Sequence, residues 1–321
     1  MGIFLVTGAA GFIGSSLARA LVAQGHKVRG FDNLSTGNIA NLDDVMNSIE
    51  FQNDDLRDAA AVNAACKGID YIFHEAALPS VPRSVTDPMG THESNVTGTL
   101  NLLMAARDAG VKRLVFAGSS SAYGDQPTLP KHEDMMPGPI SPYAASKVAC
   151  EMYLETFYRC YGLETVTLRY FNVFGPHQDA SSQYSGVLAK FITSMLDGQR
   201  PTIFGDGEQS RDFTFIENVV KGNMQACFAP AEKVCGKVFN VATGSTITLN
   251  RTYAVLQKLI GFNGSPEYLP DRAGDIKHSY ADISRAHEAF GYETSVDFEE
   301  GLRRTIAWYK EQRGSVGVGA S

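Results

Sequence analysis

The segment SPYAASKVACE places Tyr143 and Lys147 four residues apart, a spacing that sets both side chains on one face of a helix. An ammonium beside a phenol favours the phenolate, so the pair can act as a base nearer neutral pH than a lone tyrosine. Chance puts the same spacing on many helices, and the setting carries more weight. Tyr143 stands 24 residues after Ser119, the first of three adjacent serines, Ser119, Ser120 and Ser121, and no carboxylate follows them until Asp125. Alcohols at a strand end can hold a substrate oxygen but supply no acid to expel a leaving group.

A second group lies at the start of the chain. VTGAAGFIGSSLARALVAQGH puts Gly8, Gly11 and Gly14 between an apolar run and an amphipathic helix. In that strand–turn–helix setting the glycines permit a tight turn, close approach of a pyrophosphate and close helix packing, with phosphates meeting the helix N-terminus. An ordinary tight turn has the same glycines. Asp32 tips the balance, because it ends the second strand 18 residues after Gly14, where a carboxylate can accept both ribose hydroxyls and would repel a 2′-phosphate. NAD is therefore expected rather than NADP. Asp55 and Leu56, after the third strand, are candidates for the adenine edge.

The elements that must position these groups follow from the rhythm of the first half. Short β-rich runs (GIFLVTG, HKVRGFD, IEFQNDDL, IDYIFHEAA, VKRLVFAGSS) alternate with helical stretches such as 14–24, 59–66 and TLNLLMAARDAG. Strand–helix–strand repetition implies right-handed crossovers and a parallel sheet covered on both faces. The fold class expected is α/β: a doubly wound (Rossmann) parallel sheet with a smaller mixed α/β C-terminal substrate-binding domain. After Tyr170 longer glycine- and proline-bearing loops separate helices at 187–196, 251–259 and 298–312, and long loops tend to carry function. The expected division is 1–170 for the NAD-binding domain, to which some later segments return, 171–313 mainly for substrate, and 314–321 as a flexible tail.

Composition narrows the classes. The chain has 321 residues with 28 Lys+Arg against 35 Asp+Glu, and its basic residues are scattered, which argues against nucleic acid as a partner. The opening MGIFLVTG is too short for a signal segment or a membrane span, so no membrane association and a cytoplasmic location are expected. Five cysteines without a CxxC pair argue against a disulfide framework or a zinc site, and no metal is expected.

Taken together, TGAAGFIG, HEAAL, SPYAASK and RYFNVFGP resemble the extended short-chain dehydrogenase/reductase superfamily, and within it the nucleotide-sugar branch, from Gly2 to about Lys310. The resemblance implies that Ser119 or Ser120, Tyr143 and Lys147 form the catalytic set. It also implies that Gly8, Gly11, Phe12, Ile13, Gly14, Asp32, Asn33, Ser35, Gly37, Asp55, Leu56, Ala76, Tyr143, Lys147 and Tyr170 hold NAD. The loop ALPSVPRSVTDP resembles that of bacterial UDP-hexose and UDP-N-acetylhexosamine 4-epimerases. Ser80 and Ser84 then become sugar contacts, and Arg83 either joins them or forms a surface salt bridge. Ser121 is read either as a sugar contact or as a strand-end cap.

The same resemblance implies that Asn172 faces the diphosphate, that Val187 lines the substrate side, and that Arg211, Arg272 and Asp275 clamp UDP. Ser279 falls at the family's pocket gate, where a small side chain resembles enzymes that accept N-acetylated sugars. Dehydratases and decarboxylases of the family carry an acid where this chain has Ser120-Ser121-Ala122. The expected activity is NAD-dependent 4-epimerisation of a UDP-hexose, UDP-GlcNAc/UDP-GalNAc first and UDP-Glc/UDP-Gal as well. The alternatives are a strict UDP-glucose 4-epimerase and a dinucleotide-sensing scaffold without turnover. Ala189 and the loop GPHQDASSQYSG depart from the pattern on the sugar side. Relatives commonly form homodimers through two helices from each subunit, here those around 95–108 and 143–158, with Leu154 and Phe157 as candidate contacts.

Overall fold

A computed structural model describes residues 1–180, 186–271 and 277–318. The first half runs β1 (Ile3–Thr7), α1 (Phe12–Ala23), β2 (Lys27–Phe31), β3 (Ile49–Gln52), α2 (Ala59–Cys66), β4 (Tyr71–His74), α3 (Val81–Thr86), α4 (Pro88–His92), α5 (Gly98–Asp108), β5 (Arg113–Ser119), α6 (Pro142–Tyr161) and β6 (Glu164–Tyr170). A strand from the second half, Lys237–Val241, pairs parallel with β6 and completes a seven-stranded sheet. Its order is Lys237–Val241, β6, β5, β4, β1, β2, β3, with every pairing parallel.

Successive side chains of a strand point to opposite faces, and here both faces are covered. Val115 and Ala117 of β5 belong to the core that includes α1 and helix Ile216–Phe228. Leu114 and Phe116 belong to the core that includes α2, α5 and α6. Phe4, Leu5 and Val6 of β1 are all fully buried, which is why the strands read as continuous apolar runs. The chain winds outward in both directions from the β1–β4 seam, and a crevice opens at the carboxyl ends of strands at such a reversal.

The second half adds helices Val187–Leu196, Leu249–Ile260 and Phe298–Val318. Its small sheets join Ser210–Arg211 to Ile247–Thr248 and His278–Ser279, and Thr202–Phe204 to Glu267–Leu269. The last helix continues to Val318, past the boundary expected at 313; Gly314 and Gly317 lower helix propensity without ending the helix. Leu154 and Phe157 are 1 % and 5 % exposed and sit in the core under α6, so neither is a surface contact. The exposed apolar side chains on these helices are instead Met104, Met152, Tyr153 and Tyr161. Among the described residues, the cysteines are free, no His/Cys/Asp/Glu group could hold a metal, and no helix is long and apolar enough to cross a membrane.

Candidate active site

The glycine turn is built as its spacing implies. Gly8 has φ +67°, and a Cβ there would lie 2.7 Å from the Ala76 amide nitrogen; a Cβ on Gly14 would lie 2.0 Å from the Gly8 carbonyl oxygen. Only glycine fits either place. A Cβ on Gly11 would meet only Gly8 O within 4 Å, so the middle of the turn stays open to a ligand at the α1 N-terminus. Asp32 follows β2 directly and accepts from Ala10 N through Oδ2 at 3.0 Å and from Leu34 N through Oδ1 at 2.8 Å. Burial pushes its carboxyl up, and the two amides pull against that. Each oxygen keeps lone-pair capacity for a hydroxyl.

Across the cleft, α6 is fixed at both ends. Ser141 caps it by accepting from Ala144 N, Pro142 starts the first turn, and Gly162 in the left-handed conformation stops it after Tyr161. Tyr143 and Lys147 thus rise from the first two turns. Lys147 is buried, donates from Nζ to the Ala117 carbonyl at 2.7 Å, and sits 4.7 Å from the Phe116 ring centroid. Ser119 ends β5. Its Oγ accepts from both the amide (3.2 Å) and the hydroxyl (2.8 Å) of Ser121, which leaves its own O–H to donate elsewhere.

One cleft of about 1170 Å³ joins these groups. Of the expected cofactor contacts, Gly8, Gly11, Phe12, Ile13, Gly14, Asp32, Asn33, Ser35, Gly37, Asp55, Leu56, Ala76, Tyr143, Lys147 and Tyr170 all line it. Ser80, Arg83, Ser119, Ser120 and Asn172 line it too. Ser80 also caps α3, and Asn172 spends its side-chain amide on the Asp212 carbonyl at 3.1 Å. The Asp55 carboxyl is held well below the usual range, first by Arg57.

Other expected contacts lie elsewhere. Ser84 is fully buried and donates to the Val81 carbonyl at 2.7 Å; its position on the inner side of α3 satisfies it within the helix, so it does not line the cleft. Ser121 does not line the cleft: its amide and its hydroxyl both donate to Ser119, which is the residue that caps the strand end. Val187 starts a helix whose preceding residue, Gly186, takes the place in the wall. Arg211 and Ser279 are register partners on adjoining strands, away from the cleft lining. Arg272 and Asp275 lie outside the described residues. For Arg83 no salt bridge forms among the described residues, so the surface-pair reading loses its basis.

The structure also brings in groups that no spacing announced. Glu75, the acid of HEAAL, lines the cleft and accepts from the Tyr170 hydroxyl at 3.0 Å. The next-door His74 is fully buried between Thr7 Oγ1 (2.7 Å) and Thr99 Oγ1 (2.8 Å), and burial pushes it down to about 3. Trp308, Tyr309 and Arg313 reach the wall from the last helix, beside His177 and Gln178. Only the HEAAL motif hinted at any of these.

A cleft with a glycine turn at a helix N-terminus, a ribose-type acid after β2 and a tyrosine–lysine pair opposite is a dinucleotide redox site in its donor set. The model of the NAD dependent epimerase/dehydratase family matches residues 4–242. The chain belongs to that family. It is an NAD-dependent enzyme, and the open glycine turn, Asp32 and the cleft that joins them to Tyr143 fit that cofactor. A UDP-glucose 4-epimerase of Mycolicibacterium smegmatis is 40 % identical over 315 residues, covering 96 % of this chain and 98 % of that one. The structure of a UDP-N-acetylglucosamine 4-epimerase from Methanobrevibacter ruminantium, in complex with UDP-N-acetylmuramic acid, superposes with a TM-score of 0.92 at 42 % identity, covering 97 % of this chain and 99 % of that one. A Thermus thermophilus UDP-glucose 4-epimerase in complex with NAD gives 0.87 at 37 % identity, covering 96 % and 99 %.

Proposed function

We propose that this family member is a UDP-hexose 4-epimerase that acts on the UDP-GlcNAc/UDP-GalNAc pair and also accepts UDP-Glc/UDP-Gal. The observation that carries the reaction type is the hydroxyl-only end of β5. Ser119 and Ser120 line the cleft with Tyr143 and Lys147, and the stretch holds no acid to expel a hydroxyl. Of the cleft acids, Asp32 accepts from two backbone amides and Glu75 from the Tyr170 hydroxyl.

Bound NAD supplies a hydride acceptor that later returns the hydride. The residues of this chain do the rest. Tyr143 takes the proton of the sugar 4-hydroxyl, Lys147 favours the phenolate by its charge, and Ser119 donates its free O–H to the 4-oxygen. Loss of hydride from C4 gives a 4-keto sugar. Rotation of that sugar presents its other face, and return of hydride and proton inverts C4.

The preference for the N-acetylated pair is supported by the relative at 42 % identity that is named for UDP-N-acetylglucosamine and by the Ser80–Arg83 loop in the wall. The relative at 40 % named for UDP-glucose supports activity on the plain hexose. A homodimer through α5 and α6 would cover Met104, Met152 and Tyr153, and sedimentation at the single-chain mass would overturn it. The deciding experiment incubates the protein separately with UDP-GlcNAc and UDP-Glc and follows the anomeric protons by NMR. Galacto isomers that fail to form with Y143F support the reading, and the initial rates rank the sugars. No new anomer from either sugar, with NAD binding intact, means that the substrate class is wrong or that the chain is a sensor.

A further inference from the structure

Glu75 is a carboxyl in the wall of a catalytic cleft that the proposed chemistry does not use. Its backbone amide donates to the Thr7 carbonyl at 3.2 Å, which fixes the residue at the carboxyl end of β4, beside the seam with β1. Its Oε1 lies 3.0 Å from the Tyr170 hydroxyl, whose single proton is shared between Glu75 and Asn223 Oδ1, also at 3.0 Å, and whose oxygen accepts from the Asn223 side-chain amide at 2.8 Å. Its Oε2 is buried and has no partner. A buried carboxyl oxygen left bare is costly in either state, because an anion lacks a counter-charge and an acid lacks an acceptor for its proton. Such an atom marks a place completed by something that binds.

The surroundings define what it responds to. From β6 it faces the neutral Tyr170, from helix Ile216–Phe228 the Asn223 amide through that tyrosine, and from α6 the charge of Lys147. The cleft lining adds no charged side chain from the end of β1 or from β5: Gly8 follows β1, and β5 contributes Ala117, Gly118 and Ser119. Burial raises its carboxyl to about 7, with Tyr170 and Lys147 opposing. Lys147 is one helical turn from Tyr143, and Glu75 shares their cleft, where a change of charge acts on all three groups.

We propose that Glu75 is a positioning residue for charge: ionised while the cleft holds the oxidised, cationic dinucleotide, and protonated on Oε2 when hydride arrival neutralises that cation. The transfers balance. The substrate carbon loses one hydride with its two electrons, the hydroxyl proton goes to Tyr143, and the unit charge lost from the cofactor is answered by one solvent proton on Glu75. Return of the hydride reverses each transfer, so a full turnover leaves the proton count unchanged. The inference rests on the family's cofactor and is independent of which sugar is turned over.

The test is a redox titration of the purified holoprotein against a dye couple, without sugar, following the near-ultraviolet absorbance of reduced dinucleotide from about pH 6 to about pH 8, around the value burial sets. Free NAD takes up one proton with its two electrons. With Y143F as the background, so that the phenol cannot answer the same charge, the protein is expected to take up more than one across this range, and Y143F/E75Q one throughout. Each unit by which the cofactor's charge moves the acid corresponds to a tenfold change in the oxidised-to-reduced ratio, so at the alkaline end E75Q should shift that ratio about tenfold toward the reduced form. One proton in Y143F, or an extra proton that survives in Y143F/E75Q, overturns the proposal. Should E75Q fail to fold or to hold dinucleotide, the wild-type infrared difference between oxidised and reduced holoprotein decides. A protonated carboxyl band gained on reduction supports the assignment, and its absence overturns it.

Discussion

Lys147 Nζ is anchored 2.7 Å from the Ala117 carbonyl oxygen, so the helix that carries Tyr143 is tied through its lysine to the strand that carries Ser119. The ammonium is therefore held at one point and cannot be replaced by a cation of another shape. K147R is expected to lower kcat at least about 100-fold, within the range for loss of a positioned acid–base partner, because a planar guanidinium does not fit a site made for a compact ammonium. K147M should do the same. Steady-state rates with unchanged thermal unfolding would check this, and a K147R variant within a few-fold of wild type would refute the role.

The serines should separate by position. Ser119 accepts twice and is left with a proton to donate, Ser120 lines the cleft, and Ser121 is committed to Ser119. S119A should therefore lower kcat most, by about 10- to 100-fold for a lost hydrogen bond to charge developing on oxygen. S121A should cost less activity and about 1 kcal/mol of stability through the lost hydroxyl bond to Ser119. Rates and melting curves for the three alanine variants give the order; S121A as the most damaging would reverse the assignment.

Behind Lys147, one turn further along α6, Glu151 receives a two-pronged bond from Arg169 of β6 at 3.0 and 2.7 Å. Both are nearly inaccessible, at 6 % and 2 %, and the guanidinium lies 4.6 Å from the Tyr123 ring centroid. Removing one partner strands a buried charge, so R169M should destabilise by about 3–5 kcal/mol. The double variant E151L/R169M should recover most of that loss. Denaturant unfolding of the single and double variants measures the difference, and equal losses in both would mean that packing rather than charge dominates.

These pairings also mark how far the sequence could be read. Gly8, Gly11, Gly14 and Asp32 were legible because a turn, a close packing and a ribose-type acid are short-range requirements written within one βαβ unit. Tyr143 and Lys147 were legible because helical periodicity fixes their common face. Ser84 and Ser121 could not be placed from sequence because a serine's partner is decided by local backbone: Ser84 closes on Val81 inside its helix, and Ser121 closes on Ser119. Leu154 and Phe157 misled because a core face and a subunit face carry the same apolar pattern. Trp308 was out of reach and Glu75 was hinted at only as the acid of HEAAL, since they meet His177 and Tyr170 only after distant segments are packed together.

His74 offers a test of that packing through pH. It is buried as a neutral ring between two threonine hydroxyls and pushed down from 6.5 to about 3 by burial. The folded protein thus binds fewer protons at this site than the unfolded chain. Stability from His74 is fully present above the unfolded value of 6.5 and is lost as pH falls from there toward 3, at up to about 1.4 kcal/mol per pH unit. H74N cannot titrate, so its stability should decline less steeply in this window. At neutral pH the variant should still be less stable, by about 1–3 kcal/mol, because Thr7 and Thr99 lose well-placed partners. Denaturant unfolding at several pH values from about 7 to about 5 supplies the comparison. A wild-type slope no steeper than that of H74N would mean that the ring is protonated in the folded state, and that the two threonines do not hold it neutral.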